Sequence, residues 1–296
     1  MKRLILSGVF CAAFLLGIGV AWMQWRSVED DAIPVVEPFT YMSPWVPYDA
    51  YETLYRTQVQ ETTPVATYVP AAIVNHHLLA SDLITKTLAA LSTQHPSVIV
   101  LLAPDHFSKS TTPLSTSLFS WHTEVGDLSV ATVLAERLAE DDALSINPNA
   151  LDHEHGIGNI TTFLANVFPG TPFIPVIVSE HASVAAMDEF AQRLDLLLPV
   201  DALVLGSFDF SHGKTLVVQQ ENDAVSTEVL GRLAAEETSE LDVDSRNGLR
   251  MLLQFARFRN AGIFAPIGHS SSAARMNDPE TTENTSYITG YFTAAP

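Results

Sequence analysis

The sequence predicts an α/β fold: a three-layer α/β/α domain around a mostly parallel or mixed central sheet, preceded by an N-terminal transmembrane helix. Three observations predict it. Apolar runs of strand length alternate with amphipathic stretches of helix length. The runs are apolar at nearly every residue rather than every second one, as expected of strands buried on both faces of a sheet. Lastly, about 20 mostly apolar residues, Leu4–Met23, follow Lys2-Arg3 and are long enough to cross a bilayer as a helix.

The amino-terminal run ends in Ala-Trp-Met-Gln-Trp-Arg, and Trp22 and Trp25 suit a membrane interface. Positive charge before the run and Glu29-Asp30-Asp31 after it orient the N-terminus toward the cytoplasm. Residues 1–26 therefore read as a signal anchor, giving a single-pass membrane protein with an extracytoplasmic domain; the alternative is secretion after signal cleavage. Residues 27–67 are acidic, punctuated by prolines and without sustained periodicity, so they read as a tether. Tyr41, Trp45, Tyr48, Tyr51 and Tyr55 predict that part of it packs against the domain of residues 68–296.

Within that domain Ala71–Val74, Val98–Ala103, Phe173–Val178 and Ala202–Leu205 are expected strands, with Ile263–Ile267 and Tyr287–Thr293 as late ones. Pro113–Leu118 and Glu124–Leu128 are short strands or loops. Ser81 is an expected N-cap for a helix running to about Gln94, and Ser129 for one ending at Glu140. Further helices are expected over Asn159–Val167, Ala182–Leu198, Leu216–Glu237 and Arg246–Ala261.

The strand most informative about function is Val98–Ala103, which Pro104 ends because proline has no N–H to give the ladder. Asp105 and His106 then lie just past its carboxyl end, where open α/β sheets bind ligands. The same arrangement recurs at Asn75-His76-His77, Ser179-Glu180-His181 and Ser207-Phe-Asp-Phe-Ser-His212, in a chain with only 10 histidines. If these runs are parallel neighbours, their imidazoles converge on one edge, and imidazole is the common metal ligand and neutral-pH acid/base group. Asp152-His153-Glu154-His155-Gly156 adds a loop of pocket-like composition. In the Ser207–His212 stretch, Asp209 is placed to orient His212. His95, His122 and His181 read as ordinary surface or core histidines.

Other classes are disfavoured. A net charge of −19 argues against a nucleic-acid partner. The one cysteine, Cys11, lies in the amino-terminal run, leaving no internal disulfide, Cys-rich zinc site or thiol nucleophile in the domain. Gly268-His269-Ser270-Ser271-Ser272 approaches a nucleophile elbow, but that hydrolase class needs a histidine after the serine, and none follows. No Gly-x-Gly-x-x-Gly or Walker sequence follows a strand.

Taken in order, Ile-Val-Asn-His76, Leu-Ala-Pro-Asp-His106, Asp-His-Glu154-His155-Gly-Ile and Ser207-Phe-Asp209-Phe-Ser-His212 resemble the Memo-like proteins, whose bacterial members are called AmmeMemoRadiSam system protein B. The resemblance runs from about Tyr68 to Thr293. It implies a fold related to class III extradiol (LigB-type) dioxygenases, in which two histidines and a carboxylate hold Fe(II). It also implies that His76 and His106 are metal ligands, with His155, Asp209 and His212 as further pocket residues. This chain departs from the family where Pro-His-Ala-Gly is Asn-His-His-Leu and Ser-His-His is Asp-His-Phe. The segment matched to the family's cysteine ligand is Ser270-Ser271-Ser272-Ala273-Ala274, so His269 is the nearest substitute as third ligand.

The expectation is therefore a membrane-anchored Memo-like domain with a divalent metal (Fe, Cu or Zn) on His76, His106 and His269. His155, Asp209 and His212 would serve as acid/base or orienting groups in redox or dioxygenase-like chemistry on a small molecule. The alternatives are a non-catalytic domain that binds a peptide or small anion in the same cleft, and metal-dependent hydrolysis. Oligomeric state is not assigned.

Overall fold

A computed structural model describes residues 40–42, 48–140 and 142–295. Four apolar runs of the sequence form its centre: β2 (Ala71–Val74), β3 (Ile99–Pro104), β8 (Phe173–Val178) and β9 (Leu203–Ser207). They lie in the order β2-β9-β3-β8, all parallel, and every residue in them is buried. This accounts for the unbroken apolar runs, since each strand has protein on both faces.

Antiparallel strands extend both sides, so the sheet is mixed. Beyond β8 come β4 (Leu114–Thr116) and β7 (Leu144–Ile146), and beyond β2 come β12 (Asn284–Thr293), β10 (Phe210–Lys214) and β11 (Ile263–Ser271). Of these, β4 runs antiparallel to β8, and β12 runs antiparallel to β2, β10 and β11.

Helices cover both faces. Leu102 of β3 is in register with Gly206 of β9, so the two share a face, and a side chain at Gly206 would strike Leu252 of α8 (Arg246–Phe258). Ala103, one residue on, faces the opposite way and abuts Gly156 of α5 (His155–Val167). On the α5 side lies α2 (Ser81–Ala90), and on the α8 side α6 (Val184–Leu197). In α8, Leu249, Leu252, Leu253 and Ala256 form the buried stripe, and the Ser245 hydroxyl caps its start by accepting the Gly248 amide. The expected three-layer α/β domain with a mixed sheet is present.

Several boundaries differ for local reasons. The segment Leu78–Ala80 forms a 3₁₀ turn leading directly into α2, so Ala80 occupies the cap position expected of Ser81 and makes no side-chain bond there. The expected helix from Leu216 divides into α7 (Leu216–Arg232) and a 3₁₀ segment, Ala235–Glu240, because Leu233 takes a left-handed conformation (φ 50°). The expected start of α5 at Asn159 moves back to His155, since Glu154 caps a first turn whose two glycines disguise it.

The tether region contains β1 (Thr40–Met42) and α1 (Tyr48–Glu61). β1 pairs with β5 (Ser120–Thr123), which pairs with β6 (Gly126–Leu128) in a separate small sheet, and Tyr41 packs its ring 4.2 Å from Trp121. One expectation is corrected. Among the described residues no helix is long and apolar enough to cross a membrane, and the Leu4–Met23 run lies outside them. The transmembrane helix, the membrane as partner and the single-pass topology therefore have no part in the function argued below.

Candidate metal centre

The four parallel strands end side by side, and their carboxyl ends deliver the site. β2 hands over to Asn75 and His76, β3 to Asp105 and His106, and β9 to Phe208 and Asp209. From the α5 face, the first turn of α5 contributes His155. A Cβ on Gly156 would lie 2.9 Å from Cβ of Ala103 and 3.5 Å from Cε1 of His106, so only glycine lets this turn settle against β3.

His76, His106 and His155 each offer a ring nitrogen such that these atoms all lie within 4.8 Å of one another. The His106 and His155 rings stack with centroids 3.9 Å apart, and His76 meets each edge-on at 5.0 and 5.3 Å. His76 is almost wholly buried, whereas His106 and His155 are partly exposed, so the group opens to solvent on their side. Phe107, half-exposed, stands edge-on to His155 at 6.0 Å and forms an apolar rim.

Hydrogen bonding fixes how two of these rings present themselves. Nδ1 of His106 lies 2.6 Å from Oε1 of Glu154, a buried carboxylate that also accepts the amides of His106 and Gly156. Nδ1 of His76 lies 3.3 Å from the Ser207 carbonyl oxygen and 3.3 Å from the Ser207 hydroxyl, whose own hydrogen is committed to the Gly156 carbonyl. Both sets of partners accept, so Nδ1 is a nitrogen placed to carry a proton in each ring. Burial, followed by the charges of His106 and His155, holds the His76 pKa well below the ordinary imidazole value. His155 is lowered as well, first by burial and then by His106. Three converging imidazoles, two of them with an oriented second nitrogen, form a group that could hold a divalent transition metal.

The same stretches carry a likeness to known proteins. The sequence profile of the family described as Memo-like protein matches residues 53–250, two-thirds of the chain. The chain belongs to that family. A curated relative, "MEMO1 family protein" from Caldivirga maquilingensis, is 25% identical over 124 residues. That alignment covers 42% of this Memo-like chain and 40% of the relative. A solved structure, uncharacterized protein JW3007 from Escherichia coli K12, superposes with a TM-score of 0.49 at 11% identity, over 75% of this chain and 99% of that one.

The remaining residues singled out in the Memo-like sequence fall in three places. Asp209, buried, turns its carboxylate to His76: Oδ1 accepts the His76 amide at 3.1 Å and Oδ2 lies 3.7 Å from Nε2. Burial raises its pKa. His212, on β10, has an exposed outer face; desolvation lowers its pKa against the charges of Asp209 and Asp242, and those of His106 and His77 add to the lowering. His269, on β11, is held elsewhere, with Nε2 2.6 Å from Oδ2 of Asp223, a bond that raises its pKa. The imidazole brought together with His76 and His106 is thus His155, at the start of α5, rather than His269 on a strand outside the parallel core. His153 is exposed beside Asp152, and His95, His122 and His181 are surface residues.

Sequence reasoning named no role for Glu154, Ser207 or Asp244. Glu154 was adjacent to two histidines, and that proximity was its only signal. Asp244 precedes the cap of α8 and reads as an ordinary acidic residue before a helix. A long-range β-bridge, Phe210 to Val243, brings it to the site, where its Oδ2 lies 3.4 Å from Nε2 of His76.

Proposed function

We propose that this Memo-like domain binds one divalent transition metal ion through His76, His106 and His155 and acts through it on a small molecule in the cleft at the strand ends. The observation that carries the reading is the convergence of the three rings, with acceptors from Glu154 and Ser207 placed at Nδ1 of His106 and His76 and a ring nitrogen of each histidine within 4.8 Å of the others. Such second-sphere acceptors orient a ligand imidazole toward a metal. Nitrogen donors of this kind suit iron, copper or zinc. The bound ion would supply Lewis acidity, and for iron or copper redox capacity as well.

The chain's own groups have separate roles in this reading. Glu154 and Ser207 orient the ligand rings. Asp209, and His212 on the adjacent strand, are the groups assigned to accept or return a proton on a bound molecule. Phe107 offers an apolar ring edge-on to His155 at the rim.

Metal analysis of protein purified without a histidine tag tests the reading. About one equivalent of a transition metal is expected, falling below about a tenth of an equivalent in His76→Ala, His106→Ala and His155→Ala. A metal content that is below a tenth in the unaltered protein after reconstitution, or unchanged by all three substitutions, overturns it.

A further inference from the structure

We infer that His77 is a substrate-orienting residue, whose Nε2 donates a hydrogen bond to a small anionic molecule bound at the metal centre. This rests on the metal-binding reading above and deepens it by naming a group outside the three imidazoles that meets the bound molecule.

His77 follows His76 where β2 ends, and its main chain is pinned on the inside. The Asn75 side-chain amide donates to the His77 carbonyl at 3.0 Å, and the Ala80 amide donates to the same oxygen at 3.0 Å. Asn75 is fully buried, so the turn into Leu78–Ala80 is anchored from within the domain. Asn75 and His77 are both positions at which this chain departs from the Memo-like pattern, and the first holds the second in place.

The ring is fixed through one nitrogen. Nδ1 lies 2.7 Å from the hydroxyl of Tyr287 on β12, and the two rings meet edge-on with centroids 5.7 Å apart. Tyr287 is fully buried, and burial pushes its phenol up, so the hydroxyl keeps its hydrogen. Donation of that hydrogen to Nδ1 places the ring's own proton on Nε2, and an imidazolium carries one there as well. His76 and His106 have acceptors at Nδ1, whereas His77 has a hydroxyl there. That difference suits His77 to hydrogen bonding rather than to holding the ion.

The ring also stands beside the cleft. His77 is exposed, and its charge bears on His155, Asp209 and His212. These are one ring of the metal group and the two groups assigned to proton transfer. Tyr287 occupies the buried side of the imidazole, which leaves Nε2 to the open side. A molecule held at once by a Lewis-acidic ion and by an N–H donor must be electron-rich at two points, as a carboxylate or another small anion is.

Azide titration of the Co(II)-reconstituted full chain, followed by the visible ligand-field bands, tests this. Azide is a small anion that can bind an ion by one end and accept a hydrogen bond at the other. His77→Ala is expected to keep Co(II) affinity within about twofold and to weaken azide binding about tenfold, the usual effect of removing a donor to a charged group. His77→Gln, whose side-chain amide nitrogen can stand in for Nε2, is expected to recover part of that loss. Azide affinity unchanged in His77→Ala, or weakened equally in His77→Ala and His77→Gln, would overturn the inference and leave the three-histidine reading intact. Azide that leaves the bands of the unaltered protein where they were would do the same. An unaltered protein that takes up no Co(II) would remove both. Should His77→Ala not fold, Tyr287→Phe decides: weaker azide binding with Co(II) affinity kept supports the inference, and unchanged azide binding overturns it.

Discussion

Oε1 of Glu154 lies 2.6 Å from Nδ1 of His106, while Oε2 of the same carboxylate accepts the His106 amide at 3.1 Å. One buried side chain therefore fixes both the backbone and the ring of a proposed ligand, and through the Gly156 amide it also starts the helix that carries another, His155. The two strand-end and helix-start histidines depend on a single residue between them.

Replacing Glu154 by Gln keeps the shape and can leave an amide nitrogen facing the His106 ring, freeing the tautomer. Metal affinity is expected to fall about 10- to 100-fold, the usual effect of losing a second-sphere carboxylate. Competition with a coloured chelator measures it, and far-UV circular dichroism checks that the fold persists. Unchanged affinity would mean that Glu154 serves the helix alone.

Gly156→Ala places a methyl group 2.9 Å from Cβ of Ala103 and 3.3 Å from Oε1 of Glu154. The neighbour on one side is a central strand, which cannot yield cheaply. Destabilisation of about 1–3 kcal/mol is expected from overpacking, read as a lower urea midpoint, together with weaker metal binding as α5 moves away from β3.

The ion pair of His269 with Asp223 predicts a pH dependence with a definite sign. Its hydrogen bond to Asp223 raises the folded-state pKa above the ordinary 6.5. The stabilisation is therefore complete below pH 6.5 and is lost as pH rises through the raised value. The histidine side chain is 53% exposed, so solvent and salt reduce the effect. Urea midpoints taken across this range should decline more steeply with rising pH in the unaltered protein than in His269→Gln. Parallel curves would show that the pair contributes nothing.

Much of the framework was legible in the chain because burial on both faces leaves an uninterrupted apolar run. The central strand Phe173–Val178 has the bounds its composition indicates, and Ala71–Val74 does too. His76 and His106 were legible for the same reason, since each directly follows such a run. The third imidazole, His155, came only from the Memo-like resemblance, as a pocket residue and not as a ligand. His155 lies at a helix start disguised by Gly156 and Gly158, and what brings it to His106 is packing of α5 on β3, which no local pattern records. Asp244 was further out of reach, because only the bonds between the segments around residues 209 and 244 bring it beside His76. His269 was the nearest substitute for the cysteine ligand that the Memo-like resemblance implies, while its partner, Asp223, is 46 residues away. The amino-terminal apolar run shows a different limit: its residues lie outside those described, and no membrane-length helix occurs among the rest.

Anomalous diffraction from crystals of the metal-reconstituted protein, collected on either side of the metal's absorption edge, tests the central claim most directly. The account predicts a single strong peak per chain about 2.0–2.3 Å from ring nitrogens of His76, His106 and His155. A fully reconstituted crystal with no peak among these three rings, or with its peak at His269 and Asp223, would contradict it.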